Sequence, residues 1–79
     1  MDKLKALEYF LAAAQTGSFS AAARQQGVSL QAVAKLVSAL EAQLGATLFQ
    51  RSGRGLVLTA DGTHYAEACA PLLAQLRSA

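Results

Sequence analysis

Few of the features that hold a small protein together are present in this sequence. It has a single cysteine, Cys69, so no internal disulfide can form. A lone histidine, His64, beside that one thiol falls well short of the roughly four ligands a structural zinc site requires. Neither a metal nor a cofactor is therefore expected. No apolar run approaches the eighteen or so residues of a membrane span. The opening MDKLKALEYF lacks the continuous apolar segment of a secretory signal. These absences point away from membranes and toward a reducing cytoplasm. No nucleophile–base pair, acidic dyad or phosphate-cradling glycine loop is visible, and His64 has no acidic orienter at a fixed spacing. An enzyme is not expected.

What remains is a chain of 79 residues that is 53% apolar and only 15% charged, which folds rather than staying disordered. A core of that size is modest. With disulfide and metal set aside, a partner subunit is the expected extra source of stability. The net charge is +2, a weak pointer to a polyanionic partner by itself. Its distribution says more. Arg24, Lys35, Arg51 and Arg54 lie between positions 24 and 54, opposed by Glu41 alone.

Periodicity predicts a first helix over residues 2–16, with Leu4, Leu7, Phe10, Leu11 and Ala14 on its main apolar face. Ala6, Tyr9 and Ala13 form a second, weaker strip, so this helix should pack on two sides. Gly17 ends it and Ser18 caps a second, alanine-rich helix over 19–26. Gly27 makes a tight turn, Val28 enters the core, and Ser29 caps a third helix. Val33, Val37, Leu40 and Leu44 form its inner arc, while Gln31, Lys35 and Ser38 face the other way, with Ala32 and Ala34 at the edges. Residues 48–58 read as a hairpin with a basic tip at Ser52-Gly53-Arg54-Gly55. Thr59 caps a last helix carrying Asp61 in its first turn. Pro71 removes the bond to the Glu67 carbonyl, so a bend is expected there. The pattern is still helical at Ala79, as expected of a piece of a longer chain.

The stretch from Ser20 to Leu40 organises the rest. Ala23 allows close helix crossing, Gly27 turns the chain four residues later, and Val33 fills the core six beyond that. This is helix-turn-helix spacing, and such units lay the second helix in the major groove of DNA. The plainer alternative is any alanine-rich helical hairpin. The caps, the basic enrichment and the following hairpin favour DNA.

The run TGSFSAAARQQGVSLQAVAKLVSALEAQLGATLFQRSGRGLVLTADG resembles the N-terminal domain of LysR-type bacterial transcriptional regulators. The likeness rests on GSFSAAA, Leu40-Glu41, Leu44-Gly45, the LF-x-R of Leu48 to Arg51 and the LT-x-x-G of Leu58 to Gly62, and covers essentially the whole chain. It implies a mainly α fold: a winged helix-turn-helix, of three helices and a two-stranded β wing, over 1–59, then a long linker helix that dimerises from residue 60 to 79. It also implies a C-terminal effector-binding domain of the periplasmic-binding-protein type, absent here, through which a small-molecule effector would act. The full-length protein would be a tetramer.

This chain departs from the family pattern in three places. Leu30 and Gln31 stand where a polar or proline pair is usual, Ala34 where serine is frequent, and Leu36 where a polar residue usually follows the basic one. The third helix thus carries fewer hydrogen-bonding groups. More reliance on apolar contact with thymine methyls and on DNA shape is expected.

Gln31 can pair with adenine, and Lys35 can reach guanine or a phosphate; a solvated polar face is the plain alternative for both. Ser29 is a cap first, whose helix start can also hold a phosphate. Ala32 is included with the contact face. Ser38 is open between phosphate contact and solvent. Arg51 and Arg54 flank the wing tip, where arginine enters a minor groove or grips phosphate, against a loop charged for solubility. Thr59 is more surely a cap than a contact, and Arg24 is equally well an exposed helix residue.

On the last helix Tyr65, Ala66, Cys69, Leu72, Leu73 and Leu76 form more apolar surface than one side needs. They are expected to make an antiparallel helix pair across a two-fold axis, joined by the second strip of the first helix. The leading expectation is a dimeric, DNA-binding domain of a transcriptional regulator acting on operator DNA in the cytoplasm. The alternative is a winged-helix protein-interaction module without DNA binding, for which the apolar Leu30, Ala34 and Leu36 speak.

Overall fold

Side-chain caps set where each helix begins. The computed structural model describes residues 1–53 and 55–79. The helices are α1 (Lys3–Thr16), α2 (Phe19–Gln26), α3 (Leu30–Leu44) and α4 (Ala60–Ser78). Between α3 and α4 lie the strands β1 (Phe49–Ser52) and β2 (Gly55–Leu58). Ser18, Ser29 and Thr59 accept the amides of Ala21, Ala32 and Gly62, which satisfies donors left open at each helix start. The first helix starts one residue later than its periodicity suggested. Asp2 is outside it as the N-cap, with its carboxylate accepting the Lys5 amide at 3.1 Å.

The α2–α3 turn depends on Gly27, whose φ of 70° lies in the left-handed region. The Val28 amide then donates to the Ala23 carbonyl at 3.0 Å, closing the turn. A side chain at this φ would cost roughly 1–2 kcal/mol. Val33, Val37 and Leu40 are buried as their spacing predicts. Leu44 is not: it is 41% exposed, because it is the last residue of α3 and extends past the core.

The first helix is the centre of the molecule, packing on α2, α3, α4 and β2. Its two-sided packing matches the sequence reading, but the ranking of its strips is reversed. Ala6, Tyr9 and Ala13 are buried with Phe10 and Leu11, whereas Leu4 is exposed. Small residues lie where helices cross closely, so the strip that scored weakly by side-chain size faces the crossings. That strip is therefore unavailable to a dimer seam.

The strands form an antiparallel hairpin in which Phe49 pairs with Leu58 and Arg51 with Leu56. Among the described residues, hydrogen bonds tie the wing to α3 and to the end of α1. The Leu48 amide donates to the Glu41 carboxylate at 2.7 Å, and the Leu56 amide donates to the Gly17 carbonyl at 3.4 Å. An aromatic chain runs through the interior. Phe19 meets Phe49 edge-on at 5.6 Å, Phe49 meets Phe10 at 5.4 Å, and Phe10 meets Tyr65 at 5.5 Å. Helix-turn-helix, wing and last helix are thereby packed through α1.

The base of the wing is also where α4 departs. The Thr59 amide donates to the Leu48 carbonyl, and its hydroxyl donates to the Thr47 carbonyl. Gly62 passes so close to Leu48 that a Cβ would collide with the Leu48 carbonyl oxygen. The helix then continues through Pro71 to Ser78.

Candidate nucleic-acid interface

The third helix alternates inward and outward faces every 3.6 residues. With Val33, Val37 and Leu40 inside, Gln31, Lys35 and Ser38 are all exposed on the outer face. Ser29 is exposed at the helix start and Ala32 is half-buried. The Ala32 amide donates to the Ser29 hydroxyl at 3.0 Å, so these two residues build the helix terminus.

Arg51 lies exposed on β1. With Leu56 of β2 it forms one wall of a groove of about 240 Å³, whose other walls are Leu30 of α3 and Phe19 and Ser20 of α2. The fold thus brings the wing, the start of α3 and the start of α2 to one place. Arg54 lies outside the described residues. Thr59 is half-buried, with its hydroxyl engaged by the Thr47 carbonyl and the Gly62 amide. Those bonds give it the capping role that its place before the last helix predicts.

Charge follows from the same packing. Glu41, the one carboxylate between positions 24 and 54, is turned inward to the Leu48 amide. Among the described residues the one ion pair joins Arg77 to Glu8 at 3.6 Å, between α4 and α1. Lys35 and Arg51 therefore present their charge without a carboxylate partner among those residues. The sequence reading missed two contributors to the groove, Leu30 as a lining residue and the start of α2. Ser18, recognised as a cap, already signalled a helix N-terminus there.

The expected dimerisation stripe divides in two. Cys69 and Leu73 are buried against the chain's own core, and Tyr65 and Ala66 pack beside them half-buried. Leu72 and Leu76 are 55% and 61% exposed. Successive residues on a helix point 100° apart, and here Leu73 turns to the core while Leu72 turns outward. Burial pushes the Tyr65 hydroxyl above its ordinary pKa, and a hydrogen bond with Cys69 adds to the shift.

Residues 4–63 match the family model for the bacterial regulatory helix-turn-helix protein, lysR family. The chain belongs to the LysR family. The AhcY transcriptional activator HvrB of Rhodobacter capsulatus is 44% identical over all 79 residues, which cover 27% of that relative. An uncharacterised HTH-type transcriptional regulator of Haemophilus influenzae is 40% identical over the same length, again 27% of the relative. The chain thus spans about a quarter of the curated relatives it matches. Among solved structures, the CbnR DNA-binding domain in complex with DNA is similar at 37% identity and a TM-score of 0.88, covering 99% of this chain and 88% of that one. The BenM DNA-binding domain on catB site 1 DNA gives 27% identity and a TM-score of 0.91, covering 99% and 86%. The fold is the winged helix-turn-helix of LysR DNA-binding domains.

Proposed function

We propose that this LysR-family chain binds double-stranded operator DNA in sequence-specific fashion, as the DNA-binding part of a bacterial transcriptional regulator. The observation that carries this is the exposed Gln31, Lys35 and Ser38 face of α3 beside Arg51, with no described carboxylate pairing either cation. The DNA complexes of similar domains support it, and none of the relatives named above favours a module without DNA binding. Residues 29–44 enter the major groove, and the wing at 48–58 lies on the minor groove and backbone. Phosphate contacts from Arg51, Arg54 and the Ser29 helix start place the domain, and base edges are read from α3. The action is binding without catalysis.

Residues 1–59 form the DNA-binding unit, and residues 60–79 begin the linker helix. Leu72 and Leu76 are the outward part of a homodimer seam, and Tyr65, Ala66, Cys69 and Leu73 support it from the core side. A dimer would place its half-sites about one helical turn, roughly 34 Å, apart or at multiples of that spacing. Small-molecule binding and tetramer formation belong to the part of a longer protein that the relatives have beyond this region. Such a regulator works in the cytoplasm; among the described residues no helix is long and apolar enough to cross a membrane. Site selection from a random duplex pool, followed by gel shift of the enriched site, tests the reading. Wild type should shift that site in preference to random DNA, and Lys35→Ala should weaken the complex. Equal binding of enriched and random DNA would remove sequence specificity.

A further inference from the structure

Leu30 opens α3 as a large aliphatic side chain, 42% exposed, on a helix whose Val33, Val37 and Leu40 are buried. It lies in line with Ala34 one turn later, and both sit at the edge of the face that carries Gln31 and Ser38. Across the groove stand Arg51 of the wing and Ser20 of α2. A single exposed leucine on a protein surface ordinarily needs no explanation. This one stands at the start of the helix that presents Gln31 and Lys35, beside an arginine of the wing. The apolar group that a base offers on the floor of the major groove is the C5 methyl of thymine. A polar residue at this position would seek a hydrogen bond to a base edge; leucine can only exclude water from an apolar surface.

We propose that Leu30 is a specificity-determining residue that packs against a thymine C5 methyl in the operator half-site, with Ala34 leaving room for the base beside it. The proposal rests on the DNA-binding reading of α3. It is tested by selecting sites from two random duplex pools, one containing thymine and one uracil, which differ only in that methyl. The wild-type chain should enrich at least one thymine in the first pool. It should bind the selected duplex about fourfold more tightly than the same duplex with uracil there, the fold-change of burying one methyl-sized group. Leu30→Ala and Leu30→Gln, both at an exposed position, should keep the wild-type circular dichroism and bind the two duplexes equally. Equal wild-type affinity for thymine and uracil at every position overturns the proposal, as does a thymine preference that survives in both variants. If neither pool yields an enriched site, the DNA-binding reading itself fails and this assignment falls with it.

Discussion

Replacing Gly62 by alanine in the first turn of α4 should destabilise the chain, against the usual sign of such a change. In a helix interior, alanine is favoured over glycine by about 1 kcal/mol. Here the added Cβ would strike the Leu48 carbonyl oxygen, a backbone atom, and also come within 3.0 Å of the Leu58 side chain. A leucine side chain can turn aside, but the carbonyl is held by the Thr59 amide at 3.0 Å. Relief requires α4 or the base of the wing to move. Overpacking of this kind costs about 1–3 kcal/mol and occasionally more. Disturbing the Leu48–Thr59 bond adds about 1 kcal/mol. After the helix gain is subtracted, the net loss is about 2 kcal/mol, or about 8–16 °C in Tm for a domain of this size. Thermal denaturation followed by circular dichroism reads this directly. Gly53→Ala is the control, since nothing lies within 4 Å of a Cβ there, and should shift Tm little. An unchanged or raised Tm for Gly62→Ala would refute the reasoning.

Substitutions on the outer faces of α3 and α4 should act on binding and assembly instead of stability. Lys35→Ala should lower affinity for a selected operator about fivefold or more, the lower end of what a base contact contributes, in a gel shift at moderate salt. Leu72→Asp with Leu76→Asp should leave the circular dichroism unchanged, since both side chains are exposed, and convert any dimer seen by light scattering at micromolar concentration to monomer. Tyr65 has a folded pKa raised above the ordinary 10.0, so its neutral form is favoured in the native state. Its contribution to stability is full below pH 10 and is lost as pH rises from there through the folded value. Urea unfolding above pH 10 should therefore fall less steeply with pH in Tyr65→Phe than in wild type.

Helix ends, the turn at Gly27 and the outward face of α3 were legible because each depends on local chemistry: caps, a left-handed glycine and a 3.6-residue period. The hairpin was legible from Gly53 and Gly55 between two short apolar runs. What escaped depends on packing between distant parts of the chain. No local pattern says that Ala6 and Ala13 are buried while Leu4 is exposed; helix crossings decide that. The aromatic chain from Phe19 to Tyr65 joins residues 46 positions apart. The stripe on α4 was visible, but not its division. Cys69 and Leu73 meet the chain's own core while Leu72 and Leu76 do not, and only the angle at which α4 leaves the wing settles which is which. At the interface, Leu30 was noticed as a departure from the family pattern, yet its place beside Arg51 required the wing to be seen folded back on α2.

The α3 face and the wing should grip DNA through unneutralised cations, and the function proposed for this chain depends on that grip. The measurement that tests it most directly is the salt dependence of binding to a selected duplex, for wild type and for Arg51→Ala with Arg54→Ala. Wild-type affinity should fall linearly on a log–log plot, and the double variant should flatten the slope by about 0.9 for each phosphate that the two arginines no longer neutralise. A slope unchanged by the double substitution would take the wing off the backbone, and a wild-type affinity independent of salt would contradict the account as a whole.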